Sequence, residues 1–159
     1  MPLTEEILQA IIRNPNFADK ELLKEVTVLL SEKPEAHEFL CLYGNYGEVM
    51  DDLVDDPGNT SDVIKADALS IQISQCSYWQ KHQSYLWAVR WLIHNTYFDS
   101  VKWESAEEEW KRRDAKALSH AGYNMLFAVI LIEFGIDKLN EISLRFREHA
   151  HKRHINDPI

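Results

Sequence analysis

A chain of 159 residues, 45% hydrophobic and 11% aromatic, can bury the core of one domain without disulfide or metal staples. Its 17 basic against 26 acidic residues, net −9, argue against general binding to phosphate backbones and favour cations or basic partners. Residues 1–62 carry four basic and fourteen acidic side chains, a balance of −10, so the rest of the chain sums to +1.

In chain order, Thr4 can cap a first helix carrying Ile7, Leu8, Ile11 and Ile12 and stopped before Pro15. Asp19 can cap a second with Leu22, Leu23, Val26 and Leu30, stopped before Pro34, and Pro34 suits the first turn of a third. That third helix runs toward Pro57-Gly58, with a kink expected at Gly44 or Gly47. After the Pro57-Gly58-Asn59-Thr60 break, Ser61 opens a pattern through Ile64, Ala68, Leu69, Ile71 and Cys76. An aromatic-rich helix follows from about Trp79 to Phe98, whose Tyr85, Trp87, Trp91 and Leu92 read as core. Ser105 with Glu108 has the form of a capping box opening a long helix through Ala115, Leu118, Ala121, Met125, Ala128 and Ile132 to a stop at Gly135, and Asp137 caps the last helix. No window shows strand alternation, so the expectation is all-α: a single helical domain over 1–159, a compact bundle of about six to seven helices.

Cys41 and Cys76 lie in amphipathic stretches with no ligand spacing and read as small core residues in a reducing compartment. The N-terminus has no basic stretch leading into an apolar one, and the longest apolar run, 125–132, falls far below the roughly 20 residues that span a bilayer. A cytosolic protein with no membrane span is expected.

Glu48, Asp51, Asp52 and Asp55 fall at i, i+3, i+4 and i+7, one stripe of a helix, with Val49, Met50, Leu53 and Val54 on its apolar side. Carboxylates this close repel, and Asp55 and Asp56 stand at a helix C-terminus, where the macrodipole disfavours negative charge by up to about 1 kcal/mol each. Mg²⁺, a hard cation held by carboxylates, waters and often a substrate phosphate, would relieve that repulsion, which makes these four residues candidate metal ligands; a solvated acidic face is the alternative.

The run Asp51-Asp52-Leu53-Val54-Asp55-Asp56 resembles the first aspartate-rich motif, DDxxD, of the all-helical isoprenoid synthases, and the preceding Leu42-Tyr43-Gly44-Asn45-Tyr46 is similar to squalene and phytoene synthases. In that family the aspartates bind Mg²⁺ that holds a diphosphate, so the resemblance implies Asp51, Asp52 and Asp55 as ligands and a phosphorylated or diphosphate small molecule as partner. This chain departs from the pattern in having Glu48 where those synthases place an arginine, in lacking the arginine pair that often follows the motif, and in having no second DDxxD cluster. A second metal-binding wall could be sought at Asn95 and Asp99, one helical turn apart, which a polar helix end explains equally.

Lys111, Arg112 and Arg113 could reach an anion, yet beside Glu107, Glu108 and Glu109 they suit an exposed, ion-paired helix face. His120, among small residues, reads as a core or boundary histidine or as a cavity wall. The C-terminal helix carries Arg145, Arg147, His149, His151, Lys152, Arg153 and His154, cations that a helix C-terminus favours. Arg145 with His151, or Arg147 with His154, has an Arg-x4–6-His spacing that resembles the HEPN ribonucleases, which implies an acid–base histidine, a phosphate-stabilising arginine and an RNA substrate. Three classes follow: a Mg²⁺-dependent helical protein handling a phosphorylated ligand, a helical ribonuclease or toxin–antitoxin component, and a non-catalytic acidic interaction protein, with a homo-oligomer compatible with each. In size and style the chain is similar to small helical proteins of bacteria and bacteriophages.

Overall fold

The computed structural model describes the backbone of residues 19–154 and the side chains of residues 19–148, so the first expected helix, with Thr4, lies outside the described residues. The described chain is all-α: α1 (Lys20–Ser31), α2 (Pro34–Asp55), α3 (Thr60–Gln75), α4 (Ser77–Glu104), α5 (Glu109–Leu118), a 3₁₀ turn at Ser119–Gly122, and α6 (Tyr123–His154). It divides into two compact units with the boundary between Gln83 and Ser84, inside α4.

In the first unit, the Asp19 carboxylate caps α1 by accepting the Leu22 backbone N–H at 2.9 Å, satisfying a donor with no helical partner of its own. Leu22, Leu23, Val26 and Leu30 are buried as the spacing predicts, each worth about 1.5–3 kcal/mol relative to full exposure. Pro34 occupies the first turn of α2, where its missing N–H costs nothing. α2 runs as one continuous helix from Pro34 through Gly44 and Gly47 to Asp55, and among the described residues the one glycine with positive φ is Gly135. The short connector at 56–59 makes α2 and α3 an antiparallel pair, in contact along their length, and α1 packs on α2. Phe39 is the hub of an aromatic core, with ring centroids 5.5 Å from Tyr78, 6.0 Å from Trp79 and 6.0 Å from Tyr43.

On α3 the expectation fails in part. Ile64, Ala68 and Ile71 are exposed, and the helix buries Ile73 and Asp62 instead. The helix begins at Thr60, one residue ahead of the expected Ser61, and its cap is Asn59. The Asn59 side-chain oxygen accepts the Ser61 N–H at 3.1 Å, while its Nδ2 donates to the Asp62 carboxylate at 2.6 Å. Asp62 also accepts from Lys65 Nζ at 2.8 Å and stands in the first helical turn, so its burial is offset by two hydrogen bonds and a favourable dipole.

The second unit corrects two further expectations. Ser105 does not cap a helix. α4 runs on through Glu104, Ser105 Oγ donates to the Lys102 carbonyl, and α5 begins at Glu109 after Glu108, which makes no side-chain cap. Arg112 replaces the box by donating from Nη1 to the carbonyls of Ala106 at 2.7 Å and Glu107 at 2.6 Å, fastening the turn. The expected long helix to Gly135 is also broken, by the 3₁₀ turn at Ser119–Gly122.

Gly135 does end a helix, with φ 84° and ψ 177°, a conformation open in practice to glycine alone. The helix resumes at once, so Asp137 sits inside the next turn rather than capping it. The chain folds back there, because Phe146 meets Tyr123 at 5.7 Å and Phe127 at 5.9 Å, residues that a straight helix would hold tens of ångströms apart. By length and composition alone the stretch Glu109–Glu148 could cross a membrane. Here the stretch is broken by the 3₁₀ turn at Ser119–Gly122 and again at Gly135, with Met125, Leu126, Phe127, Val129, Ile130, Ile142 and Phe146 buried.

Candidate functional site

The C-terminal half of α2 carries Glu48, Asp51, Asp52 and Asp55 in a row on one continuous helix, Asp52 and Asp55 exposed and Glu48 and Asp51 half-buried. The sequence left their mutual repulsion without a partner, and α3 supplies part of one. The Lys65 ammonium, held above its ordinary pKa first by its hydrogen bond to Asp62 and then by that residue's charge, also feels the charge of Asp52. This lysine and the buried Asp62 escaped the sequence reading. The Asn59-x-x-Asp62 spacing, a cap with an acid three residues on, is the signal that would have found them. Among the described residues, no group of three or more His, Cys, Asp or Glu side chains is placed to hold a metal ion.

Asn95 and Asp99 lie in the second unit, whereas the acidic row lies in the first. They engage each other: Asn95 Nδ2 donates to Asp99 at 3.3 Å, and Lys102 stands 3.8 Å from the same carboxylate. Lys111 pairs with Glu108 at 2.6 Å, holding that carboxyl below its usual range, so it and Arg112 serve the α4–α5 turn. His120 is half-buried and stacks on Tyr123 at 5.4 Å, a boundary histidine. Arg145 is half-buried and Arg147 lies over the Phe127 ring at 5.5 Å; the side chains of His149, His151, Lys152, Arg153 and His154 lie outside the described residues. Cys76 is buried and Cys41 half-buried, both as free thiols, and burial with the nearby Glu38 pushes the Cys41 thiol up to about 11, which makes it a poor nucleophile.

The largest departure from the sequence reading is on α4. Tyr85, Trp87, Trp91 and Leu92, expected in the core, are 71%, 52%, 56% and 68% exposed. The core face of α4 is instead Trp79, Leu86, Ile93 and Ser100, every seventh residue, with Tyr78 beside them. The outward side carries an aromatic row in which Trp87 meets Trp91 edge-on at 6.0 Å, Trp91 meets His94 at 5.8 Å, and His94 meets Phe98 at 4.6 Å. Steps of four, three and four residues define the row, so it runs straight along one face for three turns.

Compared with known protein families, with curated proteins and with solved structures, the chain matches none.

Proposed function

We propose that this protein is a non-catalytic interaction module that receives a partner on the outward face of α4. The observation that carries this reading is the exposure of Trp87 and Trp91 on one face of α4, edge-on to each other at 6.0 Å and continuing into His94 at 5.8 Å. Soluble monomers rarely present contiguous apolar patches beyond a few hundred Å², and tryptophan and tyrosine are the residues that dominate binding energy at interfaces. The exposed Asp52 and Asp55 of α2, with Asp56 just after it, add an acidic surface that disfavours anionic partners.

The reading requires the α4 row to be dispensable for folding. Trp87→Ser/Trp91→Ser therefore leaves far-UV circular dichroism unchanged and the unfolding free energy within about 1 kcal/mol of the parent, whereas core tryptophans truncated this way cost about 3–5 kcal/mol each. A double variant that fails to fold, or melts far below the parent, places the row in a core and refutes the reading.

A second reading is Mg²⁺ binding by Glu48, Asp51, Asp52 and Asp55, on which a phosphorylated or diphosphate ligand would build. It is favoured by the unbroken run of α2 through Asp55, which keeps all four carboxylates on one helix. Saturation at about a hundred times Kd would add about 2.7 kcal/mol to stability at constant ionic strength. The gain must vanish in Asp51→Asn/Asp55→Asn, and equal curves for the two proteins exclude the site.

A further inference from the structure

We infer that the arm after Gly135 exchanges between two copies of this chain: α6 straightens at that residue, and each copy's Phe146 docks on the Tyr123 and Phe127 of the other. The first support is the hinge. Within Tyr123–His154, Gly135 alone departs from helical backbone angles, at φ 84° and ψ 177°. Glycine enters the helical region as readily as the left-handed one, so rotation at one residue turns the hairpin into a single helix. Over its 32 residues that helix would span about 48 Å at 1.5 Å per residue. Gly135, Ile136 and Asp137 are exposed, and a Cβ added at Gly135 meets nothing within 4 Å, so no packed atom at the hinge resists the change.

The second support is the placement of the contacts that hold the arm. Tyr123 stands twelve residues before Gly135 and Phe146 eleven after it, and their rings meet at 5.7 Å. Two straightened helices laid antiparallel about a two-fold axis at Gly135 therefore bring the same residues together between chains. Phe127 regains Phe146, now at 5.9 Å, and the Arg147 guanidinium, now at 5.5 Å from its ring. Exchange of an identical element rebuilds in the dimer what it breaks in the monomer, which makes it a low-cost route to association.

The third support is the surface beside the hinge. Leu131 and Ile136, 43% and 56% exposed, lie where the two straightened chains cross, and pairing there removes from water apolar area that the closed chain leaves in it. Two terms oppose the exchange: glycine inside a helix and the freedom lost by a second molecule. They keep dilute protein closed and make the exchange depend on concentration. Ile142 and Phe146, both fully buried, must undock first, so the two forms interconvert slowly. The dimer carries every α4 face twice, which would make the module bivalent toward any partner it receives.

Refolding from urea over about a hundredfold range of micromolar concentrations, followed by sedimentation velocity, tests the inference. The expected result is an 18.6 kDa monomer from dilute refolding and a species of about twice that mass from concentrated refolding, persisting on dilution. Gly135→Ala penalises the left-handed turn and favours the helix at both hinges, and should raise the dimer association constant by at least ~100-fold. Insertion of Gly-Ser-Gly-Ser after Gly135 relaxes the turn and interrupts the straight helix, and should leave only monomer at every concentration. A parent that refolds only as monomer overturns the inference. So does a dimer that survives the insertion, since its interface then lies elsewhere, or a natively folded Gly135→Ala chain with an unchanged association constant. Should Gly135→Ala fail to fold, the parent and the insertion variant decide between them. None of these readouts depends on the α4 face, so its failure as an interaction surface remains distinguishable.

Discussion

Two glycine-to-alanine substitutions should move stability in opposite directions, and the structure gives the magnitude of each. At Gly135, an added Cβ meets no atom within 4 Å, so the penalty of Gly135→Ala comes from the backbone alone. With φ at 84° and ψ at 177°, that penalty is about 1–3 kcal/mol. At Gly47, an added Cβ again meets nothing within 4 Å, but the residue lies inside α2 without positive φ. There alanine gains about 0.5–1 kcal/mol from helix propensity and a less flexible unfolded chain. Urea unfolding followed at 222 nm reads both: with a slope of about 2 kcal/mol per molar, Gly135→Ala lowers the midpoint by about 0.5–1.5 M and Gly47→Ala raises it by about 0.25–0.5 M. A midpoint for Gly135→Ala equal to or above that of the parent would refute the argument that the fold-back between Tyr123 and Phe146 depends on a left-handed residue.

Removing the α1 cap with Asp19→Ala should cost about 1 kcal/mol, measured in the same titration, because the Leu22 N–H loses its acceptor. Asp62→Ala strips acceptors from Asn59 and Lys65 and should cost about 1–3 kcal/mol; a neutral result would show that this buried carboxylate contributes nothing to the start of α3. His37, buried with its Nε2 lacking a hydrogen-bond partner, is held below the ordinary histidine pKa of 6.5 chiefly by burial. The unfolded chain therefore binds this proton more readily than the folded one, so His37's contribution is fully present above about pH 6.5 and is lost as pH falls below it. Melting curves between pH 7.5 and 5 should show a shallower acid decline for His37→Gln than for the parent, and parallel declines would remove His37 as a source of acid sensitivity.

The elements most legible in the sequence are those where two independent signals coincide. α1 has a capping aspartate and a one-sided row of aliphatic residues, and both fell where expected. Gly135 ends a periodic stretch, and only the glycine conformation allows what happens there. The failures have a common physical cause, which is that local pattern does not say which of two faces is covered. α4 carries bulky apolar residues on more than one side, and bulk does not coincide with burial at Tyr85, Trp87, Trp91 and Leu92, whereas the seven-residue repeat from Trp79 to Ser100 marks the buried side. Ser105 and Glu108 had the spacing of a capping box, but α4 propagated to Glu104 and Arg112 satisfied the turn's carbonyls instead. For the acidic row, the spacing correctly placed four carboxylates on one helix, while the lysine that answers part of their charge belongs to α3, beyond the reach of any pattern within α2.

The fold-back at Gly135 bears on how the second unit assembles. Phe146 finds Tyr123 and Phe127 across a short span of chain, with helical arms that can form on either side before they meet. Little loop entropy is lost in closing such a contact, so this hairpin is available as an early nucleus. In kinetic terms, truncating Phe146 should slow refolding more than it speeds unfolding, whereas truncating outward residues such as Trp87 or Leu92 should leave both rates nearly unchanged.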